Sequence, residues 1–287
     1  VTLQGALVTA RALHFCACAI LWGGGGLLWL LRSAPGAGAG PRLLRIAALL
    51  AAFSGAAWLA ATLVIITADY GSLVDADAWA ALWSSSFGPP WAIRLVVLAG
   101  AAAFALAGRP MLLPLLTLCG GALALDQAWL GHAATGSGAN GAVMIASDAL
   151  HVTAAYAWTG ALPVLGWLVF RGADRPDTKR ALALFSTIGI LAVAAILATG
   201  VINAAFRLDV PRQLIATMYG QILCIKVTLF VAMLGLAWIN RSLAAPGRSP
   251  GMGATCHGLL VGVLTETAIG VFVLSVAALL GTTAPPL

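Results

Sequence analysis

Charge is what this chain has least of. Only 8% of its 287 residues are Asp, Glu, Lys or Arg, while 61% are hydrophobic. A soluble domain carries roughly 25% charged residues. A water-soluble core of this size cannot hide so much apolar surface, so lipid must be the solvent. Cysteine is also sparse. Cys16, Cys18, Cys119, Cys224 and Cys256 all fall in or beside apolar runs. None shows a CxxC spacing, which excludes a zinc ribbon and gives no disulfide framework. No glycine-rich loop ends in Lys-Ser/Thr, so there is no P-loop and no ATP-driven pump. No Ser/His/Asp arrangement and no phosphorylatable aspartate motif occur either, so nothing points to an enzyme. The apolar runs do not alternate with polar residues, which excludes barrel strands.

What is present is a series of long apolar runs, at about 5–31, 43–67, 91–108, 110–130, 147–170, 183–206, 214–239 and 255–280. Each is near the ~20 residues a helix needs to cross a bilayer. The expected fold is an all-α polytopic bundle of eight transmembrane helices, one domain over 1–287 with about four helices in 1–130 and four in 145–287. The first run exceeds a signal-peptide core and is expected to be retained. Thirty-three glycines, Gly23 to Gly26 among them, favour close helix packing without a wide aqueous pore.

Topology follows from the basic residues. With the N-terminus outside, the inner loops hold ten Lys and Arg and the outer loops only Arg207 and Arg212. The net charge of +6 is therefore read as a positive-inside bias, with both termini periplasmic, and not as a nucleic-acid face. The outer side collects Asp69, Asp75, Asp77, Asp148 and Asp209, with Asp126 just beneath. An acidic mouth of this kind concentrates cations. Trp79, Trp83, Trp91 and Trp129 read as an interfacial belt, and 69–90 as an amphipathic surface lid.

Four histidines occur in the whole chain, and His14, His132 and His151 are expected in the outer third of the bilayer. Ionisable residues at that depth are costly and point to function. Arg11, His14 and Cys18 share one helix face. Asp148 stands one turn before His151, where its carboxylate could orient the imidazole or ligate directly. Imidazole suits copper, zinc, nickel and iron, and a soft partner such as Cys18 or Met144 favours Cu(I). Cys16 and Cys18 point to different faces and do not chelate. Lys226 and Glu266, mid-span in the last two helices, are expected to pair across them, as a structural ion pair or as a relay. Arg94 is expected to snorkel outward or to neutralise the aspartates. His257 with Cys256 is a candidate inner exit.

Several stretches carry a resemblance: RALHF at 11–15, GHAATG at 131–136, DALHVTAAYAWTGALPVL at 148–165, FSTIGILAVAAILATGVINA at 185–204, YGQILCIKVTLFVAMLGLAWINR at 219–241 and ETAIGVFVLSVAALLGTTAPP at 266–286. Together they resemble the CopD family of copper resistance membrane proteins. The likeness spans nearly the whole chain and is strongest from about 130 onward. It implies an inner-membrane protein of eight helices that takes copper from a periplasmic CopC-like carrier. His14, His132, His151, Lys226 and Glu266 match family positions. The family is described as rich in methionine ligands. This chain has only five methionines, which moves the expected ligation to imidazole and carboxylate.

The expected function is copper binding and transport at a periplasm-facing site of His14, His132 and His151, assisted by Asp126, Asp148 and Cys18, with Arg11 and Arg94 behind them. The alternative is a haem b electron-transfer protein, since facing histidines in a membrane bundle also serve as axial ligands. A non-catalytic scaffold is a third class.

Overall fold

The computed structural model describes residues 2–31, 39–131, 136–244 and 252–286, the side chains of 39, 244 and 252–256 excepted. Among the described residues every regular element is helical. Eight helices are long and apolar enough to cross a membrane: α1 (Leu3–Leu31), α2 (Gly40–Thr67), α3 (Gly88–Ala107), α4 (Pro110–Leu130), α5 (Gly138–Arg171), α6 (Pro176–Ala205), α7 (Met218–Leu243) and α8 (His257–Leu280). An all-α polytopic membrane protein is therefore what the chain forms. Several spans outrun the apolar runs. α5 begins nine residues before the expected 147, because polar Ser147 and Asp148 do not break a helix whose backbone bonds are satisfied internally.

Eight spans among the described residues bring the start of α1 and the end of α8 to one face of the bundle. Between α3 and α4 the chain reverses within Gly108-Arg109-Pro110, and Gly108 supplies the left-handed backbone (φ 66°) the turn requires. On the opposite connection, 69–90 forms a 3-10 turn (Tyr70–Val74) and a short helix (Ala76–Ser84). Asp75 caps that helix by accepting from the Asp77 amide at 2.9 Å. Trp79 and Trp83 stack on it with ring centroids 6.2 Å apart.

The interior is built around α1 and α5. More than half of the most apolar window of each is buried, against 6% for α7. Glycine makes their contact close. A side chain on Gly160 would collide with the Ala19 carbonyl, and one on Gly23 with the Tyr156 and Ala157 carbonyls. Small residues let membrane helices approach to this distance. Within this contact, α1 widens into a π-helical segment, Ile20–Gly24. One apolar core joins α1 to α2, α3 and α4, and a second lies mostly among α5 to α8. Phe53, Val96, Val201 and Trp238 are each over 70% exposed, the lipid-facing surface of such a bundle.

The helices of the second half are less evenly packed. α6 rests on α5 and α7 on α8, but α6 and α7 scarcely touch. A cleft of about 610 Å³ lies between them. The expected closely packed bundle is therefore interrupted on this one side.

Candidate functional site: two imidazoles on equivalent helices

His14 is fully buried on α1. Its Nδ1 lies 2.9 Å from the Ala51 carbonyl on α2, and its Nε2 lies 2.8 Å from Nη1 of Arg94 on α3. A carbonyl only accepts and a guanidinium only donates. Nδ1 therefore carries the proton, and the Nε2 lone pair accepts from Arg94. The Cys18 thiol, one turn further along α1, competes for the same lone pair at 3.4 Å. Arg94 is fully buried and held from two sides. Its Nε donates to Asp126 Oδ2 at 2.8 Å, and its Nη2 to the Leu123 carbonyl at 3.1 Å, both on α4. Trp58 closes the pocket. Its ring lies 5.6 Å from the His14 ring and 4.9 Å from that of Trp91, with the guanidinium carbons of Arg11 and Arg94 at 4.6 and 5.3 Å. Such faces attract guanidinium by their quadrupole.

His151 repeats this arrangement on α5. Its Nδ1 lies 2.9 Å from Thr199 Oγ1 on α6. The Thr199 hydroxyl donates to the Ala195 carbonyl, so its oxygen accepts from Nδ1. Nε2 is left to accept from Lys226 Nζ on α7 at 3.4 Å. Both imidazoles thus share one tautomer, with the outer lone pair covered by a cation.

This parallel has a sequence basis that composition and single motifs do not reveal. Ala12-Leu13-His14 recurs as Ala149-Leu150-His151, Ser54-Gly55 as Thr199-Gly200, Ile93-Arg94 as Ile225-Lys226, and Leu130-Gly131 as Leu280-Gly281. Each pair sits on the corresponding helix of its half. Gly55 and Gly200 do the same job. An added Cβ would stand 3.2 Å from His14 Cε1 in one half and 3.7 Å from His151 Cε1 in the other. Ser54 and Thr199 were missed from sequence because neither is unusual alone. A search for repeats would have found them.

His132 lies outside the described residues, as does the side chain of Cys256. His14 and His151 occupy separate pockets. Among the described residues no group of three or more His, Cys, Asp or Glu side chains stands together for a metal. Asp148 does not orient His151; it accepts from Arg207 at 3.2 Å and from Asn203 at 3.4 Å. Lys226 and Glu266 do not pair. Lys226 lies near the start of α7 and Glu266 well down α8, roughly two turns apart in depth. Glu266 instead accepts from Asn240 Nδ2 at 2.9 Å. Arg94 does not snorkel; of the aspartates it is expected to neutralise, it pairs with Asp126, inside the bundle, where the Trp58 face also covers it. Trp91 is 1% exposed and belongs to this pocket, not to the interfacial belt, whereas Trp83 and Trp129 are exposed. Arg11 shares the helix face but does not bond His14 or Cys18; it lies over Phe15 and Trp58. Cys16, Cys18, Cys119 and Cys224 are free thiols. Met144 packs against Gly136, and His257 is exposed near Asp174 and Arg175.

Comparison with known proteins agrees with this two-part build. Residues 2–143 match the family described as Copper resistance protein D-like, N-terminal domain, and residues 179–280 match Copper resistance protein D. The chain is 29% identical to Inner membrane protein YebZ of Escherichia coli over 85% of its length and 84% of that protein. It is 30% identical to Copper resistance protein D of Pseudomonas syringae over 70% of its length and 69% of that protein. It is 35% identical to Copper transport protein CutJ of Bacillus subtilis over 54% of its length, which covers 28% of that longer protein. With both halves matched in order, the chain belongs to the copper resistance protein D family.

Proposed function

We propose that this protein works in the bacterial inner membrane, binds copper in the periplasmic half of the bilayer and passes it inward, with His14 and Cys18 as the first donors. The observation that carries this reading is the 3.4 Å approach of His14 Nε2 and Cys18 Sγ in a buried pocket. Imidazole nitrogen with thiolate sulfur is a donor set that selects Cu(I). Cu(I) also accepts two donors in line, which requires Cys18 Sγ to move from 3.4 Å to about 4 Å from His14 Nε2, and a third ligand is then not required. Binding exchanges the thiol proton for Cu⁺, which leaves the pocket's charge unchanged beside Arg94 and Arg11. Arg94 must release Nε2, and Asp126 holds the guanidinium close by while it does so.

The positive-inside bias supports reading the face where α1 begins as periplasmic. Exposed Asp69, Asp75 and Asp77 lie there, a landing place for the cation or for a CopC-like carrier that delivers it. The test is Cu(I) competition against a chromophoric chelator with the purified chain. Wild type is expected to take up one equivalent, and His14→Ala and Cys18→Ser to lose at least tenfold in affinity. Equal copper uptake by all three proteins overturns the reading.

A further inference from the structure

The repeat shows why the cleft between α6 and α7 exists. In the first half, Arg11, His14, Phe15, Trp58, Trp91 and Arg94 surround one pocket, and the two indoles fill it. Their counterparts by the repeat are Asp148, His151, Val152, Asn203, Leu223 and Lys226, and all six line the cleft. Two tryptophans have become Asn and Leu, and Phe has become Val. The same framework is filled in one half and open in the other.

The open copy has a distinct chemistry. Arg11, Arg207 and Lys226 line it against the single carboxylate of Asp148. Arg11 is 7% exposed, and its Nε, like that of Arg207, is buried without a hydrogen-bond partner. Such unpaired donors are costly. A cavity with two excess positive charges repels a metal cation. The rest of the lining is largely apolar: Val201 and Val227 stand at the level of the charges, and Leu197, Phe230 and Met233 lie deeper along α6 and α7. Leu197, Val201 and Val227, on the spanning stretches of α6 and α7, are more than half exposed, so the cleft opens sideways between these helices at the depth of the bilayer.

We propose that this cleft holds an acidic phospholipid. Its phosphate is bound by Arg11, Arg207 and Lys226, and its acyl chains run down the groove between α6 and α7. The inference does not rest on the copper reading, and the metal-free protein tests it. The full chain is delipidated in detergent and offered phosphatidylglycerol or phosphatidylcholine with the same acyl chains. Bound lipid is read by native mass spectrometry and stability by Tm. Wild type is expected to retain phosphatidylglycerol preferentially and to gain several degrees of Tm from it alone. Asn203→Trp with Leu223→Trp rebuilds the filling of the first half. It is expected to stay folded and to lose retention at least tenfold; Arg11→Gln is expected to remove the preference for the acidic head. Equal retention of the two lipids by wild type, or unchanged phosphatidylglycerol retention in the filled variant, overturns the proposal. So does a Soret band that the filled variant abolishes, which would give the cleft to haem.

Discussion

Arg94 bridges His14 and Asp126: Nη1 donates to the imidazole at 2.8 Å, and Nε donates to the carboxylate at 2.8 Å. One cation thus sets the acceptor state of the histidine and is itself neutralised by an acid on the next helix. The arrangement ties α1, α3 and α4 together at one depth, where the chain separation between Arg94 and Asp126 is 32 residues.

Removing the cation alone strands a charge. Arg94→Met leaves Asp126, 9% exposed, without its ion-pair partner. Breaking a buried pair in this way costs about 3–5 kcal/mol, whereas replacing both partners by apolar groups is often neutral. Arg94→Met is therefore expected to lower thermal stability in detergent strongly. Arg94→Met with Asp126→Leu is expected to recover most of the loss. A double variant as unstable as the single one would show that Asp126 is satisfied elsewhere.

The helices were legible because spanning length and hydropathy are local properties. The turn at Gly108-Arg109-Pro110 was legible for the same reason. His14 and Cys18 could be placed together because i and i+4 share a face. Which cation meets which acid is a property of helix neighbours, and that information is not in any single span. Lys226 and Glu266 were matched on shared depth, yet they differ by roughly two turns. Their distance from the start of α3 makes Arg94 and Trp91 look like boundary residues, but the face they occupy turns inward to Trp58. The repeat carried the missing constraint. Once Ala-Leu-His, Ser/Thr-Gly and Ile-Arg/Lys are aligned, Lys226 must face His151 as Arg94 faces His14.

That alignment predicts a coupling. In a double-mutant cycle, Lys226→Met and His151→Ala are expected to interact by about 0.5–3 kcal/mol, as residues in contact do. Lys226→Met and Glu266→Gln are expected to add within about 0.5 kcal/mol, as unconnected sites do. Chemical or thermal unfolding in one detergent measures both cycles. A larger coupling to Glu266 than to His151 would reverse the assignment of partners.

Glycine substitutions separate packing from propensity. A Cβ at Gly160 meets the Ala19 carbonyl, which is backbone and cannot swing aside. Gly160→Val is expected to prevent α1 and α5 from seating, read as loss of the monodisperse species on gel filtration. Gly26 has nothing within 4 Å of an added Cβ. Gly26→Ala is expected to be tolerated, and to stabilise by up to about 0.5–1 kcal/mol through helix propensity. A tolerated Gly160→Val would mean that α1 and α5 do not meet backbone to backbone at this position.

Trp58 is the residue that distinguishes a closed half from an open one. It is 3% exposed and touches His14, Phe15, Arg11, Arg94 and Trp91 together. Removing a buried indole costs about 3–5 kcal/mol, with the spread set by how far the site collapses. If the pocket stays open, Trp58→Ala leaves the first half resembling the second, with the His14–Cys18 pair on a cavity wall. Cys18 is 1% exposed in the intact protein, so its thiol is shielded from reagents. Trp58→Ala is then expected to lower Tm and to speed alkylation of Cys18 by a small maleimide, with Cys18→Ser as the control that removes the signal. Asn203→Ala, the counterpart change in a half already open, is expected to leave that rate unchanged. Slow alkylation in Trp58→Ala with an undiminished Tm would mean that the indole does not fill the pocket, and the contrast between the two halves would lose its basis.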